Sequence, residues 1–222
     1  MVVIKNNHKK AKSIEMSIET KEGASGSQVV SKQRVADHGE VYTHKREVDA
    51  MLDLVKHETD RIESRFLEPA CGTGNFLAEV LDRKLAVVTS RYGKSQADWD
   101  RYAIIAVSSI YGIDILPDNV EKCRERLFKP YMKCREEVRR SVKYILSRNI
   151  VCGDALSLKG IIFSEWSPVG SGLKRRDFAF HELVAQSAIQ DLPLFSDLGD
   201  DVFIPDPVKD YPVTNIYNIA DV

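Results

Sequence analysis

A loop with two glycines is the first segment whose residue types and spacing suit chemistry. It reads Glu68-Pro69-Ala70-Cys71-Gly72-Thr73-Gly74, after the apolar pair Phe66-Leu67 and before a helical pattern of apolar residues. Gly72 and Gly74 allow tight turns and let a ligand approach the backbone closely. The helix that follows presents free N–H groups and the positive end of its dipole, which suit a carboxylate or a ribose hydroxyl. A G-x-G pair by itself fits a plain strand-to-helix turn equally well.

Two aspartates follow the next predicted strands. Asp114 ends the apolar segment that begins at Ile110, and Asp154 comes soon after Ile150–Cys152. A carboxylate at the second strand end can accept hydrogen bonds from a ribose diol, and one at the third from an adenine amine. Each aspartate taken singly fits a helix cap or a turn. Three ligand-type groups at three successive strand ends together predict a nucleotide-like site.

The elements that must position these groups alternate along the chain. Apolar spacing predicts helices and short strands in turn. The predicted helices cover 45–62, 75–85, 97–108, a segment opened by Pro117, and 136–146; the predicted strands cover 66–67, 110–115, 150–152 and 161–163. This alternation predicts an α/β fold built from βαβ units around a parallel sheet.

Composition excludes several classes of protein. The 222 residues are 43% hydrophobic and 29% charged, which excludes a disordered or low-complexity chain. No apolar run is long enough to span a bilayer, and the first residues lack the apolar region of a signal peptide. The four cysteines include no C-x-x-C pair, so they indicate neither a zinc site nor a disulfide framework. We therefore expect a cytoplasmic protein with no membrane segment and no metal.

Charge is unevenly distributed although the net charge is −1. Residues 121–149 hold ten Lys/Arg against four Asp/Glu, and residues 177–222 hold one Lys against nine Asp/Glu. A phosphate-facing surface and an acidic partner-binding end are one interpretation; solvated faces are the other, which charge alone favours. The run Lys174-Arg175-Arg176 likewise fits either a contact to DNA phosphates or plain surface.

Four segments in order resemble one family. The loop and the residues after it, Glu68 to Leu77, resemble the cofactor loop of S-adenosylmethionine (SAM)-dependent adenine-N6 DNA methyltransferases, the modification subunits of restriction–modification systems. His38–Thr43 resembles the segment before the first strand, Tyr111–Ile115 with Asn119-Val120 the ribose-binding strand, and Cys152–Leu156 the adenine-contacting segment. The resemblance covers about 35–158, roughly half of the chain.

The resemblance implies a Rossmann-like methyltransferase core, SAM as cofactor and DNA as substrate. Thr43 would meet the cofactor carboxylate, Asp114 the ribose and Asp154 the adenine amine, and the two glycines would let the backbone approach the methionine. The implied cofactor-binding residues are Tyr42, Thr43, Glu68, Pro69, Ala70, Cys71, Gly72, Thr73, Gly74, Asn75, Phe76, Asp114, Ile115, Gly153, Asp154, Ala155 and Leu156.

The chain departs from the family pattern in three ways. His44 stands where the family has proline, and 43 residues separate Cys71 from Asp114, which implies an inserted helix. The family's Asn/Asp-Pro-Pro-aromatic tetrad, which holds the target amine and stacks on the flipped base, is absent because the chain has no Pro-Pro pair. The only catalytic candidates at the corresponding place are Ser164, Glu165 and Trp166. Trp166 fits a stacking role less well than a core or interface aromatic.

These observations predict three segments: a flexible arm at 1–33, a SAM-binding methyltransferase-like domain at 34–165, and a largely extended acidic tail at 166–222 that is a possible partner-docking segment. Few residues follow the predicted fourth strand, so we expect a sheet that is incomplete on its C-terminal side and exposes an edge. A second polypeptide that carries the tetrad and target recognition, or a restriction subunit, would cover it.

Alternative functions keep the same loop. A non-catalytic pseudo-methyltransferase that senses SAM or acts as a scaffold explains the missing tetrad. An RNA or small-molecule methyltransferase is weaker, because the segment at Tyr42-Thr43 resembles the DNA group. A nicotinamide oxidoreductase is weaker still, because the loop lacks the third glycine of G-x-G-x-x-G.

Overall fold

The computed structural model describes residues 43–182 and 206–221. The predicted flexible arm at 1–33 and the predicted cofactor role of Tyr42 lie outside the described residues. So does part of the predicted acidic tail.

A three-stranded parallel sheet forms the centre of the molecule. Its strands are β1 (Phe66–Glu68), β2 (Ile110–Asp114) and β3 (Ile150–Cys152), in the order β1-β2-β3. Phe66 pairs with Ile110 and Gly112 with Ile150, so all three strands run in the same direction. The prediction of an α/β fold with a parallel sheet is confirmed at this level. We call the edge where the strands end the carboxyl edge, and the opposite one the amino edge.

Helices alternate with these strands. The α-helices that lie wholly within the described residues are α1 (Lys45–Leu54), α2 (Lys56–Thr59), α3 (Asn75–Tyr92), α4 (Gln96–Ser108), α5 (Pro117–Phe128) and α6 (Glu136–Asn149), with 3₁₀ turns at Lys129–Tyr131 and Ile219–Asp221. The single helix predicted over 45–62 is therefore two helices. The predicted inserted helix is α4, and α5 begins at Pro117, whose fixed φ and missing N–H suit a first helical position.

One face of the sheet packs against the helices. Phe66, Ile110 and Ile150 are buried in one cluster with apolar side chains of α3, α4 and α6. Gly112 makes this contact close, because a Cβ there would lie 2.9 Å from Leu77 Cδ1. Lys84 of α3 is fully buried at the amino edge, where its Nζ donates to the carbonyls of residues 61, 62 and 64 and to Ser109 Oγ.

A second, antiparallel sheet packs against the other face at one end and against α4 and α6 at its other end. Strands β4 (Ile162–Val169) and β5 (Gly172–Ala179) form a hairpin, and β6 (Lys209–Asp210) and β7 (Thr214–Asn215) both pair with β5. Tyr111 and Ile113 of β2 pack against Phe163 and its neighbours. The strand predicted at 161–163 thus exists but is longer, and it belongs to this second sheet and not to the parallel one.

The boundary predicted at residue 165 falls inside β4. The hairpin continues to residue 179. Because alternate side chains of a strand point to opposite faces, it buries Trp166 and Leu173 on one face and Phe178 on the other. In the C-terminal stretch, Ile216 and Ile219 join the main core. The described part of the predicted tail therefore packs against its own chain.

No helix within residues 43–182 or 206–221 has both the length and the apolar character needed to cross a membrane.

Candidate functional site

The glycine loop turns at the carboxyl edge between β1 and α3. Gly72 and Gly74 both have positive φ, 52° and 82°, a conformation that favours glycine. The Cys71 N–H donates to the Ile113 carbonyl (2.8 Å), which ties the loop to β2. A Cβ at Gly74 would lie 2.7 Å from Cys123 Sγ of α5. The backbone shape of this loop is therefore set by both the sheet and α5.

A thiol pair lies beneath the loop. Cys71 and Cys123 are both buried and free. The hydrogen bond between them and their burial raise the pKa of the Cys71 thiol well above its usual range. Cys71 is consequently protonated and serves as packing under the loop rather than as a nucleophile.

Asp114 joins the loop to α5. Its Oδ2 accepts from the Gly72 N–H (2.8 Å), and its Oδ1 accepts from the Leu116 N–H (2.9 Å) and the Asn119 amide (3.2 Å). The residue is 8% exposed. All three partners are donors, and a carboxylate has about four acceptor positions, so acceptor capacity remains for a hydroxyl. Asp114 thus fixes the loop and caps a helix, and part of its acceptor capacity remains.

Asp154 lies on the neighbouring strand end and is more open. The Gly153 N–H donates to the Asp114 carbonyl (3.0 Å), so the segments that follow β2 and β3 are adjacent. Asp154 is exposed, and its Oδ1 accepts from the Leu156 N–H at 2.9 Å. That backbone hydrogen bond, with one from Ser157, lowers the pKa of the Asp154 carboxyl. The group is therefore an ionised acceptor at neutral pH.

Apolar and acidic groups surround these two aspartates. Ile115 is 61% exposed and Leu156 is 97% exposed, although both are large aliphatic residues. Glu68 ends β1, and burial raises the pKa of its carboxyl against a hydrogen bond from the Ala70 N–H. The carboxyl edge therefore offers acceptors beside apolar side chains, which is the composition of small-molecule sites.

The other predicted cofactor residues divide into two groups. Pro69 and Ala70 are exposed at the edge, and Thr43 lies exposed just before α1, whose first residue Lys45 pairs with Glu79 one turn into α3 (2.7 Å). Others face elsewhere. Thr73 is buried, Phe76 packs against the helical core, Ala155 packs under β2 and β3, and the Asn75 side chain accepts from Arg126.

The three catalytic candidates do not reach the carboxyl edge. The Trp166 indole N–H donates to Asn149 Oδ1 (2.9 Å), and the Asn149 amide donates to the carbonyls of Ser108 and Ile110. This places Trp166 at the amino edge, about 13 Å along the strand from Asp114. The ring is 6% exposed. The interpretation as a core aromatic fits this position.

Ser164 and Glu165 are also engaged by structural partners. The Ser164 hydroxyl donates to Asp177 (2.7 Å) and accepts from Arg175 (3.1 Å), in a fully buried position. Glu165 pairs with Arg65 just before β1 (2.7 Å) and with Arg176 (2.6 Å). Neither side chain is available to a substrate at the glycine loop.

The basic run in β5 is neutralised within the fold. Lys174 pairs with Asp210, Arg175 pairs with Asp177 (2.7 Å), and Arg176 pairs with Glu165. Arg175 is also 6% exposed. Its role is to hold the hairpin together, and the charge that the sequence shows is not available to a phosphate.

Sequence reasoning noted the basic stretch 121–149 but missed that part of it lines a groove beside the loop. The groove lies between the start of α3 and α5, and Lys122, Arg126 and Lys129 line it. The i, i+4, i+7 spacing of these three residues, within the basic stretch 121–149, is the signal that would have singled it out.

Within the described residues, no three His, Cys, Asp or Glu side chains are grouped to hold a metal ion. Comparison with known protein families, curated proteins and solved structures gives no match to this chain.

Proposed function

We propose that this chain is the SAM-binding component of an adenine-N6 DNA methyltransferase in a restriction–modification system, with the catalytic tetrad on another chain. One observation carries the proposal. Asp114 ends one strand and Asp154 follows the adjacent parallel strand, at the edge where the loop with two positive-φ glycines turns. The four-segment resemblance at 35–158 supplies the family, and a Rossmann-like core is the finer fold that it implies.

The groups at the carboxyl edge fit the parts of SAM. Asp114 keeps acceptor capacity for the ribose diol, and the ionised Asp154 can accept from the adenine amine. Ile115 and Leu156 expose apolar side chains that suit the faces of a purine ring. The start of α3 and Thr43 suit the methionine carboxylate. SAM supplies an electrophilic methyl group when it is bound.

The residues of this chain would bind the cofactor and orient it. The Gly72 N–H holds the Asp114 carboxylate in place, so the diol acceptor is rigid before binding. The buried thiols and Gly112 fix the loop against α5 and the sheet. Transfer to adenine N6 further requires groups that hold the flipped base and its amine in line with the methyl group.

The need for those further groups favours a second polypeptide that supplies them. The chain has no Pro-Pro pair, and Ser164, Glu165 and Trp166 are engaged away from the loop. Among the described residues, β1 and β3 each pair with β2 alone, which leaves both edges of the parallel sheet for another strand. The same observations favour the second candidate, a non-catalytic pseudo-methyltransferase that senses SAM.

Two assays test the proposal. In calorimetry the purified chain is expected to bind SAM, and in a labelled-methyl assay with unmodified DNA it is expected to transfer no label by itself. Absence of SAM binding by the folded chain would contradict both candidates. Label in adenine with this chain alone would contradict a split enzyme and make Ser164–Trp166 the first residues to substitute.

A third assay separates the two candidates. The chain is expressed together with the product of a neighbouring gene that encodes an Asn-Pro-Pro-aromatic motif. Transfer of label by the pair, abolished when that motif is replaced, is the result expected of a split enzyme. Binding of SAM without transfer by any such pair favours the pseudo-methyltransferase.

A further inference from the structure

The groove beside the glycine loop is a second binding surface. We call it the α5 groove: a space of about 630 Å³ between the start of α3 and the outer side of α5, which the side chains of Asn75, Lys122, Glu125, Arg126 and Lys129 line. It begins where the loop ends, because Thr73 of the loop and Asn75, the first residue of α3, both line it. It is separate from Asp154 and Leu156, which lie on the segment after β3.

Positive charge in this groove is only partly compensated. Lys122 pairs with Asp118 at 3.0 Å, and Glu125 is the one carboxylate in the lining. Arg126 donates to the neutral Asn75 amide, and Lys129 makes no ion pair with any part of the chain that the structure describes. Arg126 and Lys129 are both exposed and lie within the most basic stretch of the sequence.

The basic run of β5 provides the contrast. There, each of the three cations pairs with a carboxylate, and one of the three is buried. A phosphate that bound to that run would have to displace a carboxylate. In the α5 groove Arg126 would exchange only an amide oxygen, and Lys129 only water.

We propose that the α5 groove binds the phosphodiester backbone of duplex DNA. The inference rests on the proposed function for the statement that DNA is the substrate, and on the groove for where the chain touches it. Two uncompensated cations, a third on the same helix stripe and the positive end of the 18-residue helix α3 face one open groove. Because the groove adjoins the glycine loop, its contacts would be to phosphates flanking the target base.

The test is the salt dependence of duplex binding. A labelled 25-bp duplex is titrated by anisotropy at several salt concentrations with the wild-type chain and with an Arg126→Gln/Lys129→Gln double variant. Each lost phosphate contact lowers the slope of log K against log salt by about 0.9, so the double variant is expected to lose about 2 units of slope. Its SAM affinity in calorimetry is expected to stay unchanged.

A control variant removes the same charge at the far end of α3. Arg91→Gln/Lys94→Gln changes two exposed cations about 25 Å away along the helix, and its slope is expected to match wild type. Equal loss in both variants, no loss in either, or no duplex binding by wild type at low salt would overturn the proposal. Binding of poly-glutamate but not of DNA would overturn it in favour of an acidic protein. Because SAM binding is measured separately, failure of the proposed function is distinguishable from failure of the groove.

Discussion

The carboxyl edge and the β4–β5 hairpin contain the same types of residue, but these residues differ in their exposure and in their hydrogen-bond partners. At the carboxyl edge, Asp114 and Asp154 accept from backbone N–H groups, and large aliphatic side chains beside them face solvent. In the hairpin, Asp177 is buried and accepts from Ser164 (2.7 Å) and from Arg175 (2.7 and 2.9 Å). We call this second group, with Tyr144 and Tyr211 around it, the hairpin network.

This difference indicates that the hairpin network serves stability, whereas the carboxyl edge is free to serve binding. A buried charge is tolerated only when its partners saturate it, so the hairpin network is committed to holding β4, β5, α6 and the C-terminal stretch together. An exposed carboxylate that is ionised and oriented by one backbone N–H keeps its remaining acceptor positions for a ligand. The type of residue is therefore a poor guide to function here, whereas the partners of each residue are a good one.

The largest effect is expected when the hairpin network loses its carboxylate. Asp177→Ala leaves Arg175 buried without its partner, which costs about 3–5 kcal/mol in the free energy of unfolding. Asp210→Ala, which removes the half-exposed partner of Lys174, is the matched control and should cost less than about 1 kcal/mol. Urea denaturation measures both. Similar losses of unfolding free energy in the two variants would contradict a special role for the hairpin network in stability.

A smaller loss is expected at the glycine loop. Gly74→Ala combines a φ of 82° with a Cβ 2.7 Å from Cys123 Sγ, and we expect it to cost about 3 kcal/mol. Gly170→Ala in the hairpin turn also has a positive φ, 56°, but a Cβ there meets nothing within 4 Å. That control should cost about 1 kcal/mol. Thermal and urea unfolding measure the two costs. If Gly74→Ala and Gly170→Ala cost the same, the loop is not packed against α5 as described.

The buried Lys84 gives a prediction about pH. Burial lowers its pKa to about 7, below the 10.5 of an exposed lysine. Between these values the unfolded chain binds a proton that the folded chain lacks, so this group's contribution to stability rises with pH, by about 2 kcal/mol from pH 7 to 9. Lys84→Met should remove that rise. Urea denaturation of the wild type and the variant at pH 7 and 9 isolates the contribution of Lys84. An identical pH dependence of the free energy of unfolding in the two proteins would contradict a lowered Lys84 pKa.

The smallest effect on stability, with a clear effect on binding, is expected at Asp154. Asp154→Ala removes an exposed acceptor, so we expect SAM affinity to fall about tenfold while the free energy of unfolding changes by less than about 1 kcal/mol. Calorimetry and urea denaturation give the two numbers. Glu63→Ala, an exposed carboxylate at the amino edge, is the control and should change neither. Unchanged SAM affinity in Asp154→Ala would sink the site assignment.

Local sequence patterns were sufficient to predict the strands of the parallel sheet and the helices beside them. The three strands, the inserted helix and the start of α5 at Pro117 agree with the sequence predictions, because hydrophobic period, glycine and proline act within a few residues. The same holds for the glycine loop, whose two positive φ angles only glycine adopts easily. That Asp114 and Asp154 share one edge follows from parallel strands alone.

Only the tertiary structure decided which charges and aromatics are available. Trp166, Ser164 and Arg175 lie within twelve residues of one another, and nothing local reveals that they are buried and paired. Asn149 and Tyr144, the partners of Trp166 and Arg175, come from α6, and Asp177, the partner of Ser164, comes from β5, so availability depends on contacts between elements. The α5 groove is of the same kind. The i, i+4, i+7 spacing of Lys122, Arg126 and Lys129 is visible in the sequence, but the open space beside the glycine loop exists only once α3 and α5 have packed.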